Sequence, residues 1–268
     1  MGEFIEHYVK QGVDHFYIIN NNSEDNIEEF IENSIYKHTI TLITDNRNMN
    51  ILLDNSGTQG HVNLLNENLY DLIREETEWA IVIDADEFMR GTNGYTIKSY
   101  LQSVDDDIGR IYVMWNIFNP DKTDTNILND FSLENNVKRI NHDYMRSLSY
   151  YIQNANDFGK SIVRTSMLID SCKFWLHKIK VSGKKINNYN EIDDNMYDNG
   201  NNITYSEEGF KKLNITLNHY AIRDKDDYEK KKKQLNCVSG KVSFINGLLE
   251  MLDLDEKYFV IDKSITKN

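Results

Sequence analysis

An apolar run of four residues, Ala80-Ile81-Val82-Ile83, opens directly onto two carboxylates at i and i+2, Asp84 and Asp86, with a third, Glu87, beside them. A stretch without polar alternation is buried on both faces, which points to an interior strand of a parallel sheet covered by helices. The preceding sequence fits that constraint. Short apolar runs at His15–Ile19 and Ile40–Thr44 read as strands, and helical periodicity marks residues 3–11, Ile27–Ser34 and Val62–Glu75 between them. Alternating strands and helices predict an α/β fold with a mostly parallel central sheet. Ligands of such sheets bind beyond the carboxyl ends of strands. The loop Asn20–Asp25 and the cluster Asp84–Glu87 both lie at such ends and are expected to converge.

Further along, Ile97–Val104 reads as a helix and Arg110–Trp115 as a strand, while residues 119–157 are polar and show no sustained period. Apolar stretches resume at Ser161–Ile169, Phe174–Val181 and Leu213–Ala221, followed by a charged helix at Asp224–Leu235 and another helix at Val242–Met251. No linker rich in Pro, Gly or Ser divides the 268 residues, so a single domain is expected. A hydrophobic fraction of 40% is enough for a real core. The net charge of −13 repels phosphate backbones and disfavours nucleic acid and anionic membranes as partners. Cys172 and Cys237 are too few for a disulfide framework and lack metal-ligand spacing. With no membrane span and no leader at Met1-Gly2-Glu3, a soluble cytoplasmic protein is expected.

Like charges packed as closely as Asp84, Asp86 and Glu87 need a cation or donors to compensate them. A hard divalent ion would do so, held by one or two carboxylates while water and a diphosphate take its other positions. The plainer alternative is that these residues cap a following helix in solvent. A strand ending in Asp-x-Asp is also how haloacid-dehalogenase phosphatases present their nucleophile and acid. Phe88 and the two α/β units ahead of the motif argue against that alternative.

Several segments, taken in order, resemble glycosyltransferases of the GT-A fold, in particular the family-2-like and family-92-like group with an Asp-x-Asp-Glu-Phe signature. They are Glu3–Tyr8 with Gly12–Phe16, the loop Asn20-Asn21-Asn22-Ser23-Glu24-Asp25, Gln59, Trp79–Phe88, and Leu217-Asn218-His219-Tyr220 followed by the basic stretch Tyr228–Lys233. The resemblance implies a Rossmann-like GT-A domain over residues 1–268, with a nucleotide-binding half at 1–116 and an acceptor-binding half at 117–268. It implies metal-dependent transfer of a sugar from a nucleoside diphosphate sugar, a UDP-sugar above all, to a glycan or protein acceptor, with inversion. Residue bias and likeness to short glycosyltransferases of large DNA viruses suggest a giant-virus source.

By the same resemblance, Asp84 meets the ribose or the metal, Asp86 binds the ion (manganese or magnesium), and His219 is a further metal or diphosphate ligand. Asn21, Ser23, Asp25 and Gln59 line the nucleotide-sugar pocket, and Lys160 or Arg164 adds a cation. The chain departs from the group in lacking its usual opening strand and in carrying Asn20 where the group has Asp. Those departures favour a rival reading as a non-catalytic module that keeps the fold. An inverting transfer needs a general base. Asp157, Glu191, Asp193 and Asp194 are placed for it, with Asp157 and Asp193 the leading candidates.

Overall fold

A computed structural model describes residues 1–47, 60–119, 137–169, 174, 177–194, 206–222, 229 and 242–263. In chain order the elements begin with α1 (Gly2–Lys10), β1 (Phe16–Asn20), α2 (Ile27–Glu32), β2 (Ile40–Thr44), α3 (Gly60–Glu76) and β3 (Trp79–Ile81). Then come β4 (Glu87–Gly91), α4 (Ile97–Leu101), β5 (Ile108–Asn119), β6 (Lys138–Ile140), α5 (Tyr150–Asp157) and β7 (Gly159–Arg164). The chain closes with β8 (Lys184–Asn187), α6 (Glu207–Lys211), β9 (Ile215–His219), α7 (Val242–Leu252) and β10 (Phe259–Ile261). Gln59, Cys172, Cys237 and nearly all of the expected helix at Asp224–Leu235 lie outside the described residues.

These elements form two compact units whose sequence segments interleave. The first comprises Met1–Ile83, Tyr95–Tyr112 and Ser161–Met196, and the second comprises Asp84–Gly94, Val113–Lys160 and Tyr197–Asn268. In the first unit β1 and β2 pair in parallel, Phe16 opposite Ile40 and Asn20 opposite Thr44. The amphipathic helix α3 supplies Leu69, Tyr70 and Ile73 to a core shared with Val163, Leu168, Phe174, Ile179 and Val181. One polar residue on that helix is also buried. Asn66 donates to the Phe174 carbonyl at 2.9 Å and accepts from its N–H at 2.7 Å, so the amide replaces a missing strand partner. Gly12 follows α1 at φ +84°, a conformation that favours glycine, and an added Cβ would stand 2.7 Å from that of Lys98.

The sheet is mixed, which corrects the expectation of a mostly parallel one. In the first unit β3 runs antiparallel to β7, and β5 runs parallel to β8. In the second, β4 with β9, β5 with β6 and β6 with β10 are antiparallel, while β5 and β9 are parallel. An all-apolar run reports burial and carries no information on the direction of its neighbour. Here even the burial is partial, since Trp79, Ala80 and Ile81 are only half-buried.

The second unit buries β4 and β9 along their whole length. Its interior is unusually polar. Arg139 is bonded to Glu207 at 2.7 Å and Asp262 at 2.7 Å, and its guanidinium lies 4.1 Å from the centre of the Phe210 ring. His142 stacks on Phe210 and sits 3.0 Å from the Asn116 side-chain oxygen. Burial, then the Arg139 charge, hold its imidazole well below the ordinary range, at about 3. No described helix is long and apolar enough to cross a membrane.

Candidate functional site

The three carboxylates after β3 sit in a turn that feeds β4, where a helix cap was one expectation. Glu87 N–H donates to the Asp84 carbonyl at 3.0 Å, and Asp84 N–H donates to Glu87 Oε2 at 2.9 Å. That reciprocal pair closes the turn and directs the Glu87 side chain inward, where it is fully buried. Two more donors meet it there. The Trp115 indole N–H bonds Oε1 at 2.7 Å, and Lys160 Nζ stands 3.4 Å from Oε2. Burial lifts the Glu87 carboxyl to about 7, against the opposing pull of Lys160 and His219.

Lys160 reaches this place by register. Ile162 on β7 lies opposite Ile81 on β3 in antiparallel pairing, so two further residues along each strand bring Lys160 to the edge of the carboxylate turn. Its ammonium is sealed from solvent and bonds Asp84 Oδ2 at 2.7 Å. Burial alone would lower the lysine, yet Glu87 and Asp84 more than offset that and raise it. The Asp84 carboxylate is itself 60% exposed, so the ion pair is open on one side.

Asp86 points elsewhere. Its carbonyl accepts from Tyr220 N–H at 2.9 Å, extending the β4–β9 ladder, and its Oδ1 lies 3.7 Å from His219 Nε2. The His219 ring rests against Trp115, with centroids 4.3 Å apart. Asp84, Asp86, Lys160 and His219 are therefore brought together within the second unit. Among the described residues, however, no three His, Cys, Asp or Glu side chains gather as a metal-ion ligand group. The structure pairs Asp86 with His219 and gives Asp84 to a lysine. Two protein donors still suit a divalent ion whose other positions go to water and substrate phosphate.

The remaining expected residues fall into three places. Asn21, Ser23 and Asp25 belong to the loop after β1, in the first unit. There Asn20 accepts from Ser23 N–H at 3.1 Å and donates to Glu28 at 2.7 Å, so its amide shapes the loop where the related group carries an acid. Asn21 donates to the backbone carbonyls of Asp45 and Arg47 and ties this loop to the end of β2. Arg164 lies opposite Trp79 at the start of β3, bonded to Glu78 at 2.8 Å with its guanidinium over the indole. Asp193 is clamped by Arg110 at 2.9 Å and Lys178 at 2.7 Å, so both carboxylate oxygens are engaged. Asp157 ends α5, and its side chain lies outside the described residues.

One strongly held carboxylate of the first unit, Asp45, was not anticipated. Asp45 follows β2 as Asp84 follows β3, and Arg47 and Asn68 hold its carboxyl far below the usual range. Its position one residue past an apolar run was the available signal. Glu87 was in view as the third acid beside Asp84 and Asp86, and Trp115 as packing or, with Phe118, as a sugar-stacking face. Trp115 and Phe118 are buried, the latter packed on Tyr220.

None of the curated proteins matches the chain. The family comparison is positive and covers the carboxylate turn, Trp115, Lys160 and His219 together: residues 1–234 match the model of glycosyltransferase family 92, and the chain belongs to that family.

Proposed function

We propose that this family-92 glycosyltransferase takes its sugar from a nucleoside diphosphate sugar, UDP-linked, and passes it with inversion to a hydroxyl of a glycan or protein, on a GT-A-type scaffold. The observation that carries the reading is the side-by-side placement of Asp86 and His219 at the end of a carboxylate turn whose other two acids share Lys160. Asp86 and His219 would hold a divalent ion, manganese or magnesium. When bound, such an ion offsets the charge that grows on a departing diphosphate. The protein's own part is to fix those two side chains and to keep the other carboxylates from repelling an anionic donor.

In the transfer, the acceptor oxygen bonds to the anomeric carbon as the bond from that carbon to the diphosphate oxygen breaks, and a base removes the acceptor proton. Asp157 and Asp193 are the proposed bases. The two cations on Asp193 favour Asp157. Asn21, Ser23 and Asp25 are proposed to face the nucleotide, with Gln59.

The test is a thermal-shift panel of UDP, GDP, CDP and TDP with and without manganese. A ligand at about 100 times its Kd adds roughly 2.7 kcal/mol, which for a chain of this size raises the midpoint by about 5–10 °C. One nucleotide should shift the midpoint, only with manganese, and Asp86→Ala should abolish the shift. Four flat traces would refute the donor assignment.

A further inference from the structure

The side chains around Glu87 form a sequence of contacts that ends on His219. Glu87 and His219 stand directly opposite each other in the β4–β9 ladder, and Trp115 reaches both from β5, where it lies opposite Leu217. Its indole N–H is fixed on Glu87 Oε1 at 2.7 Å, while its ring lies on the imidazole at an inclination of 45°. An indole has two side-chain torsions, and rotating either would take the donor off a buried carboxylate. The ring is therefore locked, and a locked ring restricts the imidazole beside it.

We propose that Trp115 is a positioning residue of the transfer reaction: anchored on Glu87, its indole sets the orientation in which His219 presents Nε2 to Asp86. Trp115 acts through His219 and needs no contact with the sugar. The proposal rests on the reading that Asp86 and His219 meet the diphosphate of the donor. Partners that orient a ligand-bearing histidine change affinity by about 10–100-fold when removed.

Trp115→Phe keeps an aromatic ring on His219 and deletes the N–H. Trp79→Phe is the control, since Trp79 packs with Arg164 in the first unit. The full chain, labelled with 15N in its histidine rings, is compared by NMR, with His219→Gln assigning the His219 signals. In parallel, the Kd of the nucleoside diphosphate selected by the panel is measured with manganese. In Trp115→Phe the His219 signals should move and the Kd should rise about tenfold, whereas in Trp79→Phe neither should change. Should Trp115→Phe not fold, 3-benzothienylalanine in place of Trp115 serves instead: it keeps the bicyclic ring on His219 and lacks only the N–H that bonds Glu87, so the His219 signals must move. Unmoved His219 signals in whichever of the two folds overturn the proposal. Nucleotide binding with an unmoved His219 overturns positioning alone. A wild type that binds no nucleotide overturns the donor reading and the reaction role with it.

Discussion

His142 should contribute a loss of stability to the second unit on acidification. Its ring is 5% exposed, stacked on Phe210 and aimed at Asn116, with the Arg139 guanidinium close by. Charging that imidazole in place would bury a cation beside a cation, so the folded chain resists protonation down to about 3, whereas the unfolded chain takes the proton near 6.5. Between those values the unfolded state binds more protons, and stability falls as pH falls. The contribution is fully present above 6.5 and is lost at about 1.4 kcal/mol for each pH step of one below it. From pH 7.5 to 5.0 the loss is about 2 kcal/mol. Glu207, whose carboxyl Arg139 holds low, begins to protonate only below the usual carboxylate range, so it does not contribute in this window. Glu87, lifted by burial to about 7 in the folded chain, stabilises it on acidification over the same window, but equally with and without His142, so it cancels in the comparison of the two. Urea unfolding of the wild type and of His142→Gln at both pH values measures the term, because glutamine can still meet the Asn116 oxygen but cannot charge. The wild type should lose about 2 kcal/mol more than the variant. Equal losses would show that His142 is not held neutral, and the account of that interior would fail.

Two other perturbations test packing near the site. At Gly159 an added Cβ would lie 2.1 Å from the Val113 carbonyl oxygen and 2.7 Å from Met114 Cα, so Gly159→Ala must push β7 off β5. A loss of about 1–3 kcal/mol is expected by chemical denaturation, together with a weaker nucleotide response because Lys160 is the next residue. Arg139→Met strands the Glu207 and Asp262 carboxylates, and should cost about 3–5 kcal/mol. Adding Glu207→Gln and Asp262→Asn should recover most of that, and a triple variant as unstable as the single would refute the ion-pair explanation.

Local periodicity made much of the first unit legible. The expected strand at Ile40–Thr44 is β2 residue for residue, and Val62–Glu75 falls inside α3. Apolar period reports which face is buried, and α3 buries the face that carries Leu69, Tyr70 and Ile73. Strand direction was not legible, because the partner of β3 is β7, far along the chain. Nor was β4: the acids after Ile83 were read as a strand end or the cap of a following helix, and the pairing of Glu87–Gly91 with Ile215–His219 decides otherwise. The polar stretch 119–157 hid β6 and α5, since β6 buries Lys138 and Arg139 through ion pairs that no hydropathy pattern displays. At the site, Asp84, Asp86, Lys160 and His219 were all named from sequence. What was missed is the division of labour, in which Lys160 takes Asp84 and the indole links Glu87 to His219.

The interleaving of the two units has a consequence for synthesis. The chain passes between them at residues 83, 94, 112, 160 and 196, so no single cut releases either one whole. A nascent chain that has made β3 must wait for β7, roughly 80 residues later, before that edge can be covered, which at typical elongation rates is about 4–16 s. Over that interval an apolar strand is exposed to solvent and to neighbouring polypeptides. Expression should therefore respond to chaperone supply and growth temperature more sharply than the stability of the finished protein would suggest, and truncation libraries should find no soluble half.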